Sequence, residues 1–281
     1  MKRILAIVSF AACASDFPAA SLLAADEPRV LAIDVRPLDA QPGETVSLAP
    51  FVYVPPGGAA PTLEWRFCPL TGGPQSGYTC LSPACETRVA SDAEGRAIVD
   101  PTALALACLQ SLGATGAPGA GTSTGTASLP EKVEMILTLR ATTALGVRES
   151  IARLPYYPRG APLPRNRAPV ITRVTIGGTF SSTTTPAAAV TRGTTVDVAV
   201  TIDEASLDGY VDVAGLMRTE EPVVSFYTSA GEWRSDRASG LVATNTLDLA
   251  EVEAAEIEIF VVVRDGRGGQ APRGRFLVPL R

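Results

Sequence analysis

Apolar and polar residues alternate through short stretches of this chain, and the alternation predicts strands. Residues 29–37 read RVLAIDVRP, with Leu31, Ile33 and Val35 on one face and Ala32, Asp34 and Arg36 on the other. Residues 44–54 read ETVSLAPFVYV; Val46 and Leu48, then Phe51 and Tyr53, keep period two with a slip at Pro50. A slip at proline suits an edge strand or a bulge. Residues 62–68, TLEWRFC, put Leu63, Trp65 and Phe67 on one face, which predicts a strand carrying a core tryptophan. Pro42-Gly43 and Pro55-Pro56-Gly57-Gly58 supply the turns between these runs.

The later half repeats the pattern. In VITRVTI, Val170, Val174 and Ile176 share a face with Thr172. Residues 193–199, GTTVDVA, match residues 43–49, GETVSLA, as G-x-T-V-x-(V/L)-A. Residues 133–140, a turn at Gly146 and residues 148–156 predict strand–turn–strand; residues 256–264, the run Asp265-Gly266-Arg267-Gly268-Gly269 and residues 273–280 predict it again. Asp-Gly between strands signals a tight hairpin with positive φ at both central positions. Matching starts and ends predict two copies of one all-β fold, and short strands with Gly/Pro turns predict sandwiches. The order of strand, PGETV strand, LEW strand and terminal hairpin resembles bacterial immunoglobulin-like (Ig-like) domains of the PKD or cadherin-like kind. The resemblance implies two Ig-like β-sandwiches in tandem, at residues 29–158 and 168–281. That fold hosts unrelated roles, so the resemblance speaks to architecture.

The first unit departs from a plain sandwich. Residues 69–130 form an insertion too long for ordinary loops. Within it Asp100 caps a short helix, Pro101 takes its first position and Gly113 ends it. Residues 113–128, GATGAPGAGTSTGTAS, read as a flexible low-complexity loop. Residues 159–167, RGAPLPRNR, read as an extended linker, and its arginines with Arg173 as a solvated basic run.

The amino terminus reads as an address. Met1-Lys2-Arg3 is a cationic start, and residues 4–12 are an uncharged, mostly apolar run ending Phe10-Ala11-Ala12 before Cys13. The run is far shorter than the ~20 residues that span a bilayer. Small residues before a cysteine resemble a lipobox, which implies a signal peptide at residues 1–12, an acylated (palmitate-bearing) Cys13 and a flexible tether at residues 13–28. As a coil that tether holds the body roughly 20 Å from the lipid. Lipobox, tether and first strand together resemble myxobacterial-type lipoproteins with Ig-like domains. Ala14, where Asp is the common inner-membrane retention signal, implies the outer membrane of a bacterial cell envelope. The alternative is plain secretion with cleavage after Ala25, which Asp16 and Pro18 disfavour by interrupting the longer apolar run. Setting Cys13 aside leaves Cys68, Cys80, Cys85 and Cys108, an even count that suggests two disulfides in an exported chain. Three connectivities are open to four cysteines, and sequence alone does not choose among them; the reading favoured is Cys80–Cys85 as a local loop with Cys68–Cys108 as a longer staple. The spacings lack the close pairs of a zinc site.

Composition narrows the chemistry. The 281 residues are 46% hydrophobic, enough for a core, and 19% charged. Histidine is absent, which removes Ser-His-Asp and Cys-His catalysis and histidine-ligated zinc. The formal charge is −5, or −7 once residues 1–12 and their Lys2 and Arg3 are gone; that argues against nucleic-acid binding driven by bulk charge. The remaining candidates are few. Asp203, Glu204, Asp208 and Asp265 form a possible calcium group at the end of a sandwich, without the spacing of an EF-hand. Trp233, beside Gly231-Glu232 at a predicted hairpin end, is a possible glycan contact. The reading is a non-enzymatic, lipid-anchored envelope protein acting as a binding or structural module. It needs no cofactor; it meets the membrane through its acyl anchor and a protein or glycan that sequence does not specify. Two alternatives stay open: a calcium-dependent or carbohydrate-binding adhesion module, and a hydrolase using the Asp203 and Asp208 carboxylates.

Overall fold

A computed structural model describes residues 21–114, 130–211 and 214–281. Cys13, the signal at residues 1–12 and most of the low-complexity loop lie outside the described residues. The first unit contains β1 (Arg29–Arg36), β2 (Val46–Tyr53), β3 (Thr62–Cys68), β4 (Thr87–Val89), β5 (Ala97–Val99), helix α1 (Pro101–Ala114), β6 (Val133–Thr143) and β7 (Gly146–Tyr156). The second contains β8 (Ile171–Ile176), β9 (Thr179–Phe180), β10 (Thr195–Ile202), β11 (Gly209–Val211), β12 (Met217–Thr219), β13 (Val223–Thr228), β14 (Glu232–Trp233), β15 (Arg237–Ser239), β16 (Val242–Asp248), β17 (Glu256–Arg264) and β18 (Gln270–Pro279).

The two units share one topology. In the first, the sheet β1-β2-β5 faces the sheet β4-β3-β6-β7; in the second, β14-β16-β10-β8-β9 faces β15-β13-β17-β18. Strand for strand, β1, β2 and β5 correspond to β8, β10 and β16, and β4, β3, β6 and β7 to β15, β13, β17 and β18. In each unit a segment after the first strand crosses to pair in parallel with the last: Ala40 with Tyr156, and Val190 with Leu280. These are two Ig-like β-sandwiches in tandem. The repeated G-x-T-V-x-(V/L)-A motif falls on equivalent strands, β2 and β10, where Val46 and Leu48, and Val196 and Val198, point into the two cores.

Period-two reading places the inner faces correctly at most strands and fails where the ladder slips. Trp65 and Phe67 are fully buried, and the Trp65 indole Nε1–H donates to the Gly95 carbonyl at 2.7 Å. Gly95 sits at φ 76° with Leu63 against it, 2.4 Å from where a Cβ would stand, so a side chain there would clash. In β1 a bulge between Val30 and Ala32 turns Leu31 away from Ile33 and Val35, out of the sandwich core. At β8 the register shift opposite Thr201 and Ile202 buries Ile171 and leaves Val170 exposed, reversing the expected inward Val170. Pro50 lies on β2 beyond the three residues that β5 pairs, so its missing N–H faces no neighbour on that side.

The insertion contains the predicted helix. Asp100 Oδ1 accepts the Ala103 N–H at 2.9 Å, the cap expected of it, and the helix runs through Gly113 to Ala114. The disulfides are Cys68–Cys80 and Cys85–Cys108, which corrects the favoured pairing. The reason is local. After β3 the chain doubles back, with Leu81 N–H donating to the Leu70 carbonyl and Gly72 N–H to that of Thr79, and this brings Cys80 to Cys68. Pro83–Cys85 forms a 3-10 turn against α1, which presents Cys108 to Cys85.

Candidate functional site

The sequence candidates do not converge on one site. Trp233 is 6% exposed; its ring packs on Phe226, centroids 5.2 Å apart, inside the second core. The expected glycan platform is therefore corrected: β14 pairs with β16 instead of ending a free hairpin, and the indole has no face toward solvent. The calcium group also comes apart. Asp203 caps a 3-10 turn by accepting the Ala205 N–H, and Glu204 is exposed in that turn. Asp208 and Asp265 are buried, and each is occupied by other partners. Among the described residues, no group of three or more His, Cys, Asp or Glu side chains is placed to hold a metal ion.

Those buried carboxylates belong to a junction between the two sandwiches. Arg165 donates to both oxygens of Glu44, at 2.7 and 2.6 Å, and to the Asp39 carbonyl at 2.6 Å. Asn166 N–H donates to the Asp39 carboxylate at 2.7 Å, and its side-chain amide reaches Asp265 at 3.4 Å. Arg167 binds Asp208 through its backbone N–H (2.9 Å), Nε (3.0 Å) and Nη2 (2.6 Å). Asp208 N–H donates to Glu220, whose other oxygen accepts from Arg267 at 2.9 Å. The linker, expected to be extended and solvated, is thus fastened at its end, Arg165 to the first unit, Arg167 to the second and Asn166 to both. The hairpin turn at Asp265 also differs from the two-residue form expected. The turn spans residues 265–269 and closes on the Asp265 carboxylate, which accepts the Arg267 and Gly269 N–H groups at 2.7 and 2.9 Å. A Cβ on Gly269 would stand 2.1 Å from Asp265 Oδ2, so only glycine allows this closure.

Electrostatics separate the two sides of the junction. Burial pushes the Glu220 and Asp265 carboxyls above the usual carboxylate range despite their hydrogen bonds. Arg165 pulls Glu44 below it.

A second contact joins the units along their faces. Leu31, Ala32 and Tyr53 of the first unit pack with Tyr227, Phe260 and Val262 of the second. Phe260 meets Phe51 and Tyr53 edge-on, centroids 6.0 and 5.6 Å apart. Arg264 donates to the Leu31 carbonyl at 2.9 Å, and the β1 bulge is what turns Leu31 toward this contact. Arg29 lies by Tyr227 at the end of β13, while Asn166 bridges Asp39 and Asp265 at the other end of both sandwiches. The units therefore lie side by side and antiparallel.

Into the same apolar cluster goes Leu23, only 1% exposed. Its N–H donates to the Thr228 carbonyl at 2.8 Å, and Thr228 N–H donates to Ser21 at 3.0 Å, so residues 21–23 add a parallel segment beside β13. Sequence reading assigned these residues to a free tether. The Leu22-Leu23 pair among small residues was the available signal; Asn166 and Glu220 carried none, because their partners lie more than 90 residues away or on a separate turn.

No known protein family matches the chain, and no curated protein does. Among solved structures it is similar to the tandem Ig repeats of Dlar, at 12% identity and TM-score 0.28, covering 90% of this chain and 97% of that one. The N-terminal Ig1-2 module of Drosophila receptor protein tyrosine phosphatase DLAR gives 11% identity and TM-score 0.28, covering 90% and 98%. Fibronectin(III)-like modules of Clostridium thermocellum CbhA give 12% and 0.23, covering 89% and 93%. The sheet pairings, and not these likenesses, carry the fold.

Proposed function

We propose that the chain is a lipid-anchored envelope protein whose body is a rigid, non-catalytic binding or structural module. The observation that carries this reading is the use made of its charged groups. Asp39, Glu44, Asp208 and Asp265, with Arg165 and Arg167, are spent on fixing the linker, and Glu220 with Arg267 braces Asp208 from behind. Side chains committed to holding two sandwiches at one angle serve mechanics rather than turnover. The clasp of residues 21–23 extends the same logic to the anchor. If Cys13 bears the acyl chains, seven residues, 14–20, lie between it and Ser21, and their covalent reach is at most about 25 Å. The anchored body then stands with a fixed pole toward the lipid. An open groove at that pole, about 570 Å³, is lined by Leu22, Glu232, Asp248, Glu251 and Glu253. A surface so acidic leaves membrane attachment to the acyl chains.

The test is fractionation of producing cells. The wild-type chain is expected in the membrane pellet, with mass spectrometry finding acyl chains on Cys13, and Cys13→Ser is expected to move it to the soluble fraction. Unprocessed, unlipidated wild-type chain in the soluble intracellular extract overturns the reading.

A further inference from the structure

The pole opposite residues 21–23 differs from the rest of the surface. It gathers the departures from a plain sandwich: the excursion from β3 to β4, the connection from β5 to β6 with α1, and in the second unit the β11–β12 hairpin. Residues 69–85 and 101–114 contain no Asp, Glu, Lys or Arg. At the chain's mean of 19% charged residues, roughly six charges would be expected there.

The helix at this pole has an inner and an outer side. Leu104 and Ala105 pack on the first core, and Cys108 is held by Cys85. Ala103, Leu106, Ala107, Leu109 and Gln110 face outward; Leu106 is 54% and Leu109 55% exposed. Positions 103, 106, 107 and 110 follow the three-and-four spacing of one helix face. Beside the helix, the disulfide-tied excursion exposes Leu81 at 69%. Both disulfides are therefore spent on ordering an uncharged surface from which Leu81, Leu106 and Leu109 project.

We propose that this face pairs two copies of the chain about a two-fold axis, α1 against α1. Charge chooses the occupant. The chain is net acidic, and its acids crowd the groove at the opposite pole, so copies repel one another where those carboxylates face. At the neutral face two copies meet without that repulsion. A two-fold contact matches each apolar group with the same group on its mate, so it needs no complementary charge. A partner recruited by charge would find nothing here to read. A glycan is built for by flat aromatic rings, whereas the side chains that α1 exposes are aliphatic but for Gln110, and the one ring of the excursion, Tyr78, is half-buried. Area sets the extent of the contact. Fourteen helical residues give a strip about 21 Å long and about 10 Å wide, whereas a stable interface takes about 800 Å² per partner. Helix pairing alone falls short, so the interface includes the excursion that Cys85–Cys108 holds against α1. Residues 21–23 lie at the far pole and stay clear of it. Pairing is independent of acylation, and failure of the Cys13 test leaves it standing.

Sedimentation equilibrium of the purified full chain in density-matched detergent, from about 5 to 200 μM, tests it. The expected result is a reversible monomer–dimer equilibrium that tightens from 50 to 500 mM NaCl, because salt screens repulsion between acidic bodies. Leu106→Glu with Leu109→Glu is expected to weaken dimerisation at least 10-fold with an unchanged thermal transition. Mixing Leu109→Glu with Leu109→Lys chains is expected to restore a mixed dimer. A monomer at every concentration overturns the proposal, and so does a dimer that the Glu substitutions leave intact.

Discussion

The two sandwiches share one topology and hold it together differently. Among the described residues the second buries 21 in its core, gives the counterpart of β5, β16, seven residues, and has no cysteine. The first buries 16 residues, closes one sheet with the three-residue β5, and carries both disulfides in chain added outside the sandwich. One topology thus tolerates a thinner core where crosslinks reduce the entropy of the unfolded chain. The same comparison says where specificity lies: the regular unit resembles a scaffold, and the stapled unit carries the elaborated surface.

Removing both disulfides strikes that difference hardest. Crosslinks separated by 12 and 23 residues each contribute about 3 kcal/mol in the chain-entropy account. Together about 6 kcal/mol should be lost, and lost from the first unit. Hydrogen exchange under reducing conditions is expected to strip protection from β3 and β6 while β10 and β17 retain theirs. Equal loss in both units would mean that the interface, rather than each core, sets stability.

The interface is the next place to press. Phe260→Ala removes a buried ring that meets both Phe51 and Tyr53, at about 3–5 kcal/mol. Leu23→Ala removes a smaller side chain from the same cluster, at about 2–3 kcal/mol. Both are expected to split unfolding into separate transitions and to enlarge the radius of gyration in solution scattering. Two units that still unfold as one would show that the linker network alone couples them.

What the sequence disclosed follows from the range of the forces involved. Alternation in residues 62–68 and the GETVSLA and GTTVDVA pair mark inner faces because side-chain direction is fixed by the nearest neighbours in the chain. Asp100 was legible as a cap for the same reason. Long-range meetings were hidden. Asp39 finds Asn166 across 127 residues and Arg264 finds the Leu31 carbonyl across 233. Asp208 looked like a free carboxylate because its partner Arg167 reads as linker. Trp233 looked like a hairpin tip because nothing in its own stretch shows that Phe226 of the facing sheet meets its ring. The disulfide pairing turned on a reversal between Leu70 and Leu81 that no spacing encodes.

The smallest effect compares the two sides of the junction by their response to pH. Glu220 has its pKa raised, chiefly by burial, so near its ordinary 4.5 and just above it the folded chain holds a proton that the unfolded chain has released. Its contribution is complete below that ordinary value and declines as pH rises through the raised one. Glu220→Gln cannot titrate, so relative to wild type it should gain stability between pH 4 and pH 7. Glu44 has its pKa lowered, first by its hydrogen bond to Arg165. Its contribution is present above the ordinary value and is lost as pH falls through the lowered one, so Glu44→Gln should lose ground to wild type over the same rise in pH. Urea unfolding of the three proteins at both pH values reads the two slopes. Opposite signs would locate the cost of the junction in the buried carboxylate of the second unit and its gain in the half-exposed pair of the first. Slopes of one sign would mean that Arg267 neutralises Glu220 as fully as Arg165 neutralises Glu44, and that the two sides are electrostatically alike.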